Sequence, residues 1–142
     1  KYLAPGLFGP CGYGFPSIIG AKIGKPEVPV VGVAGEGAFG ISMNEMTAIG
    51  REGWPPITMV IFRNYQWGAE KRNNTLWFGD IFVGTELADN VSYAKIATAC
   101  GLLGEQVFSM TELKEKLLEA LENQMTKKQT TFLEVLLNQE KI

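Results

Sequence analysis

Apolar runs recur along the chain, each followed by a glycine-rich or polar break. Residues 29–34 (PVVGVA) and 57–62 (ITMVIF) show little alternation of apolar and polar positions. That pattern marks strands buried on both faces, as in a parallel sheet. Residues 106–108 and 130–137 read as two further strands. Helical spacing fills the intervals. Pro16 suits the first turn of a helix carrying Ile18, Ile19 and Ile23. Ser42 and Glu45 have capping-box spacing, which predicts a helix from Ser42 to about Arg51, stopped by Gly53-Trp54-Pro55-Pro56. A short helix is expected over 91–100. Ser109 and Glu112 repeat the capping-box spacing, and Leu113, Leu117 and Leu121 then line one face of a helix reaching about Met125. Residues 64–87 have no clear period and many aromatics, and read as a long irregular loop. Strands alternating with helices predict an α/β fold, a parallel sheet with helices on both faces, in one domain spanning 1–142.

Two breaks carry chemistry. Gly35-Glu36-Gly37-Ala38-Phe39-Gly40 follows the first long strand and precedes a helix. A glycine turn in that place is a natural seat for a diphosphate. Glu36 puts a carboxylate in the middle of it, which repels phosphate oxygens unless a cation lies between. Arg63-Asn64-Tyr65-Gln66-Trp67-Gly68 follows the second strand and offers an amide oxygen from Asn64. Carboxylate, amide and backbone oxygens suit magnesium or calcium. The three glycines also match the dinucleotide fingerprint, so an NADP-binding Rossmann domain is a rival reading, with Arg63 as the partner of a 2′-phosphate. Lys71 and Arg72 read as a solvated pair, or as anchors for a sulfonate or phosphate.

Composition narrows the chemistry further. The 142 residues are 46% apolar and 20% charged with a net charge of −2. No basic run points to nucleic acid, and no apolar run reaches the ~20 residues of a membrane span. Two cysteines, Cys11 and Cys100, make no disulfide framework and fit a cytoplasmic setting. The chain has no histidine, so nucleophile–histidine pairs are excluded and a cofactor must supply much of any reaction. The start at Lys1, without Met, reads as a piece of a longer polypeptide.

Gly35-Glu36-Gly37 followed by Asn64, with 27 residues (37–63) between the two ligands, resembles the signature of thiamine-diphosphate-dependent enzymes, usually Gly-Asp-Gly and then Asn-Asn. The resemblance runs from Gly9-Pro10-Cys11-Gly12 to the final strand, and is to their C-terminal diphosphate-binding domain. More narrowly, Phe62-Arg63-Asn64-Tyr65-Gln66-Trp67-Gly68-Ala69-Glu70-Lys71, the Leu3-Ala4-Pro5 start and Phe82-Val83-Gly84-Thr85-Glu86-Leu87 are similar to the sulfoacetaldehyde acetyltransferases, and the run 66–71 favours these over acetolactate synthases.

The resemblance implies thiamine diphosphate and magnesium as cofactors. Glu36, the Asn64 side chain and the Gln66 carbonyl would hold the metal. The turn at Gly35, Gly37 and Ala38 and the backbone of Trp67 and Gly68 would hold the diphosphate. Gly9, Cys11 and Gly12 would meet the aminopyrimidine. It also implies sulfoacetaldehyde and phosphate as substrates, acetyl phosphate and sulfite as products, and a homodimer or homotetramer. The activating glutamate would lie on a separate pyrimidine-binding domain, so no residue here takes a catalytic role and the piece alone would be inactive. Departures from the family pattern are Glu36 for Asp, Arg63 for the first Asn, Cys11 in place of a larger aliphatic, and one extra residue at Pro55-Pro56.

Overall fold

The computed structural model describes residues 1–138; the last four positions of the 1–142 span lie outside the described residues. The elements are α1 (Gly14–Gly24), β1 (Val31–Gly35), α2 (Glu36–Gly40), a 3-10 turn (Met43–Glu45), α3 (Met46–Ile49) and β2 (Thr58–Arg63). They continue with α4 (Gly68–Trp77), α5 (Tyr93–Ala99), β3 (Leu103–Val107), α6 (Met110–Glu122), a π-helical turn (Asn123–Lys127) and β4 (Thr131–Leu136). The strands form one parallel sheet in the order β1-β2-β4-β3. Val33, Val60 and Leu133 lie in register across it.

Strand alternation divides the core between the two faces of the sheet. Met59, Ile61 and Phe132 face one side, where Phe15, Ile18, Phe39, Met46, Ile49, Tyr93 and Ala97 cover them. Phe39 is central there, with its ring 5.0 Å from Phe15, 5.6 Å from Tyr93 and 5.7 Å from Phe132. Val60, Leu133, Val135 and Val107 face the other side, under Leu113 and Ala120 of α6. So helices do cover both faces, as the alternating pattern requires. The cover stops short of β1, whose Val31 and Val33 are exposed.

The cap at Ser109 forms: Ser109 Oγ accepts from the Glu112 amide at 3.1 Å, while the Glu112 carboxylate reaches back to the N–H of Phe108, one residue before the cap. The one at Ser42 does not. The chain turns helical directly at Glu36, breaks after Gly40, and resumes in short turns; Ser42 instead donates to the Gly12 carbonyl at 3.2 Å. The 64–87 stretch is also not irregular throughout, because it contains α4. None of the residues of α4 is buried, so no apolar period marks it in the sequence. Gln124, on the π-helical turn, binds both the N–H and the carbonyl of Val30 (2.7 and 2.9 Å) and Thr58 Oγ1 at 2.9 Å. It thereby ties the entry of β1 to β2.

Candidate functional site

Adjacent parallel strands present their C-terminal ends side by side. β1 ends at Gly35 and β2 at Arg63, and Gly35 is in register with Phe62. The residues that follow each strand, Glu36 and 64–68, therefore meet at one edge of the sheet. This is the general place for ligand sites in parallel α/β sheets.

Glu36 opens α2 with its side chain only 1% exposed. One carboxylate oxygen accepts from the Tyr65 amide, and the amides of Asn64 and Gln66 also face it. Tyr65 adopts a left-handed conformation (φ 64), unusual for a bulky residue, and this turn aims its N–H at the carboxylate. The other oxygen, Oε2, lies 3.4 Å from Arg63 Nε and has no hydrogen-bond partner. Burial raises the Glu36 pKa, and the Tyr65 amide and the Arg63 charge oppose that rise.

Past the turn, the chain runs beside 85–87. Trp67 N donates to the Thr85 carbonyl at 2.7 Å and Leu87 N to the Tyr65 carbonyl at 2.9 Å, flanking an antiparallel bridge between Gln66 and Glu86. In such a pair the central residue turns its own N–H and carbonyl away from the partner strand. The Gln66 amide faces Glu36 accordingly, and its carbonyl shares that outward edge. The Gln66 side-chain oxygen is taken by Lys71, whose Nζ donates to Gln66 Oε1 at 3.1 Å and pairs with Glu86 at 2.7 Å, while Gln66 Nε2 is buried without a hydrogen bond among the described residues. Lys71 is therefore not a solvated cation. Arg72 is exposed, and lines a shallow cleft with Asn64, Gly68 and Ala69.

Arg63 is 3% exposed and is used internally. Its guanidinium donates to Glu134 at 3.0 Å and to the carbonyls of Ala88 (3.3 Å) and Asp89 (2.8 Å), and lies 4.5 Å from the centre of the Tyr65 ring. It has no face left for a ligand's 2′-phosphate, which removes the NADP reading of this arginine. Glu134 is fully buried in β4, and its second oxygen accepts from Ser92 Oγ, Ala94 N and Gln106 Nε2. The sequence reading missed this partner. The signal was a lone carboxylate inside an apolar strand (TFLEVL).

Gly9, Cys11 and Gly12 lie in a second region. They line a cleft of about 1260 Å³ between the N-terminal segment, α1 and β1, and Ala38 lines it too. Gly12 lies against Ile41 and Ala38. The α2 segment thus joins the two groups of expected cofactor residues. Cys11 is exposed and free.

The family model for the thiamine pyrophosphate enzyme C-terminal TPP-binding domain matches residues 1–135. The chain belongs to this family. It is 72% identical over 140 residues to a probable sulfoacetaldehyde acetyltransferase of Rhizobium meliloti and 69% identical to the sulfoacetaldehyde acetyltransferase of Rhodobacter capsulatus. Each alignment covers 99% of this chain and 24% of the relative, so the chain spans about a quarter of the length of these relatives. A solved thiamine diphosphate-dependent 4-hydroxybenzoylformate decarboxylase from Rhodococcus jostii RHA1 superimposes with a TM-score of 0.74 at 19% identity. It covers 92% of this chain and 24% of its own, and shares the fold.

The cofactor of the family is thiamine diphosphate, with magnesium its usual metal. The residues present fit that metal in kind. Glu36 Oε2 is a buried carboxylate oxygen without a hydrogen bond, and the 64–68 turn that meets Glu36 carries the Asn64 amide and the outward Gln66 carbonyl. Glu36, Arg63 and Glu134 together bury two negative charges against one positive. A buried cluster with residual negative charge favours a cation.

Proposed function

We propose that residues 1–142 form one domain, the C-terminal part of a longer thiamine-diphosphate-dependent acetyltransferase that acts on sulfoacetaldehyde and phosphate. The observation that carries this reading is the meeting of Glu36 with the 64–68 turn at the ends of β1 and β2, in a chain 72% identical to a probable sulfoacetaldehyde acetyltransferase.

Glu36, the Asn64 side chain and the Gln66 carbonyl hold magnesium. The turn at Gly35, Gly37 and Ala38 and the Gly68 amide hold the diphosphate; Gly68 begins α4, whose first amides have no partners within the helix, whereas the expected Trp67 amide is already given to the Thr85 carbonyl. Gly9, Cys11 and Gly12 contact the aminopyrimidine from the larger cleft. When bound, thiamine diphosphate supplies the carbon nucleophile and the electron sink. This chain contributes position and charge. It has no histidine to move protons, and the activating carboxylate comes from a pyrimidine-binding domain, in a cytoplasmic homodimer or homotetramer.

Titration calorimetry of thiamine diphosphate into the full-length enzyme, with and without magnesium, tests the site. Binding is expected to need both magnesium and Glu36, and to be lost in Glu36→Ala. Undiminished binding in that variant refutes the ligand assignment. Release of acetyl phosphate from sulfoacetaldehyde and phosphate tests the substrate; acetolactate formation from pyruvate instead would favour an acetolactate synthase-like enzyme.

A further inference from the structure

Arg63 stands where the family signature has an amide residue, and three contacts close a ring around it. Its Nε lies 3.4 Å from Glu36 Oε2. Its guanidinium lies against the Tyr65 ring, and the Tyr65 amide binds the other Glu36 oxygen. Its far edge is fixed by Glu134 and by the carbonyls of Ala88 and Asp89. The near contact differs from the far ones. Arg63 Nε and Glu36 Oε2 attract without a hydrogen bond, and both atoms are without one among the described residues. Arg63 is anchored by its far side and offers Glu36 charge alone.

We propose that Arg63 is the resident counter-charge of Glu36 and sets how tightly the domain holds its divalent cation. The inference rests on the assignment of Glu36 as a metal ligand. A guanidinium beside the carboxylate shares its negative charge with the metal and repels the metal directly. Inside a protein such a charge acts more strongly than in water. Glu134 tunes the effect from the other end. Its carboxylate, held by Ser92, Ala94 and Gln106 as well, draws off part of the arginine's field. Affinity for the metal is therefore governed through a chain of alternating charge, Glu36–Arg63–Glu134, that reaches from the start of α2 across β2 to β4. Arg63 is a positioning residue and not a ligand: its hydrogen bonds go to Glu134, Ala88 and Asp89.

The charge model makes two substitutions act in opposite directions. Arg63→Gln removes the competing charge, so Mn(II) binding tightens by at least about tenfold, the effect of a charge a few ångströms away even at a water-like dielectric. Glu134→Gln leaves the arginine unopposed, so Mn(II) binding weakens by a similar factor. A merely structural role would weaken both, because either change would loosen the site. The measurement is free Mn(II) by electron paramagnetic resonance, on the full-length enzyme with saturating thiamine diphosphate. Tightening in Arg63→Gln with weakening in Glu134→Gln supports the inference; weakening in both, or no change in either, overturns it. Should Arg63→Gln not fold, Glu134→Gln carries the test alone, and unchanged or tighter binding there overturns the inference. Wild-type protein that binds no Mn(II) under these conditions refutes the metal site itself, a separate outcome.

Discussion

Trp67 lies across Gly37. A β-carbon built on Gly37 would come 2.9 Å from the indole ring, closer than side chains pack. The two residues belong to the two breaks that mark this chain, one after β1 and one after β2. Their contact fixes the separation of the two turns. Gly37→Ala is expected to push the indole outward, with a cost of about 1–3 kcal/mol. It should also weaken thiamine diphosphate binding, since the proposed site takes backbone from both turns. Thermal denaturation and calorimetry measure the two effects. A Gly37→Ala, Trp67→Leu double variant should recover most of the stability; no recovery would show that the indole is not the obstacle.

A second close approach holds the far side of the sheet. A β-carbon on Gly104 of β3 would fall 2.0 Å from the Ala94 carbonyl at the start of α5. Backbone cannot yield as a side-chain tip can. Gly104→Ala should cost on the order of 3 kcal/mol and displace α5 from β3. Urea unfolding would read the loss, and an unchanged midpoint would refute it.

Glu134 accepts from Arg63, Ser92, Ala94 and Gln106 with no exposed surface. Glu134→Leu therefore strands a buried guanidinium and three polar partners. The expected penalty is about 3–5 kcal/mol. Glu134→Gln keeps the shape and several hydrogen bonds, and should lose distinctly less. Equal losses in the two variants would show that packing, not polarity, matters at this position.

Lys22 is buried to 1% exposure, and its ammonium donates to the Val28 carbonyl at 2.8 Å. Burial, with the nearby Lys128 charge, holds its pKa below the usual 10.5. The unfolded chain therefore binds this proton more tightly than the folded one. Stability should rise as pH climbs from the folded-state value towards 10.5. Lys22→Met should flatten that rise, seen as the difference between urea midpoints of the two proteins across the alkaline range. Parallel curves would refute the effect.

The parallel sheet was legible because its strands are apolar runs without alternation, and because Gly35-Glu36-Gly37 and Asn64 end two of them. Spacing along the chain was enough to bring Glu36 and the 64–68 turn together. The partnership of Arg63 with Glu134 was not legible in the same way. It joins residues 71 positions apart, and depends on β4 inserting next to β2. Ser42 misled for a related reason. Its spacing to Glu45 is right for a cap, but a tertiary partner, the Gly12 carbonyl, takes the hydroxyl. Helix α4 escaped notice because a helix with no buried face leaves no period to read.

Edge strand β1 carries Val31 and Val33 on a face that α6 does not reach. Its outer backbone is also without a neighbouring strand among the described residues. An apolar strand open along its edge is a template for any other strand it meets. Produced on their own, residues 1–142 should therefore associate through this edge. Poor solubility of the isolated piece would then report on β1, not on a failure of its core to fold.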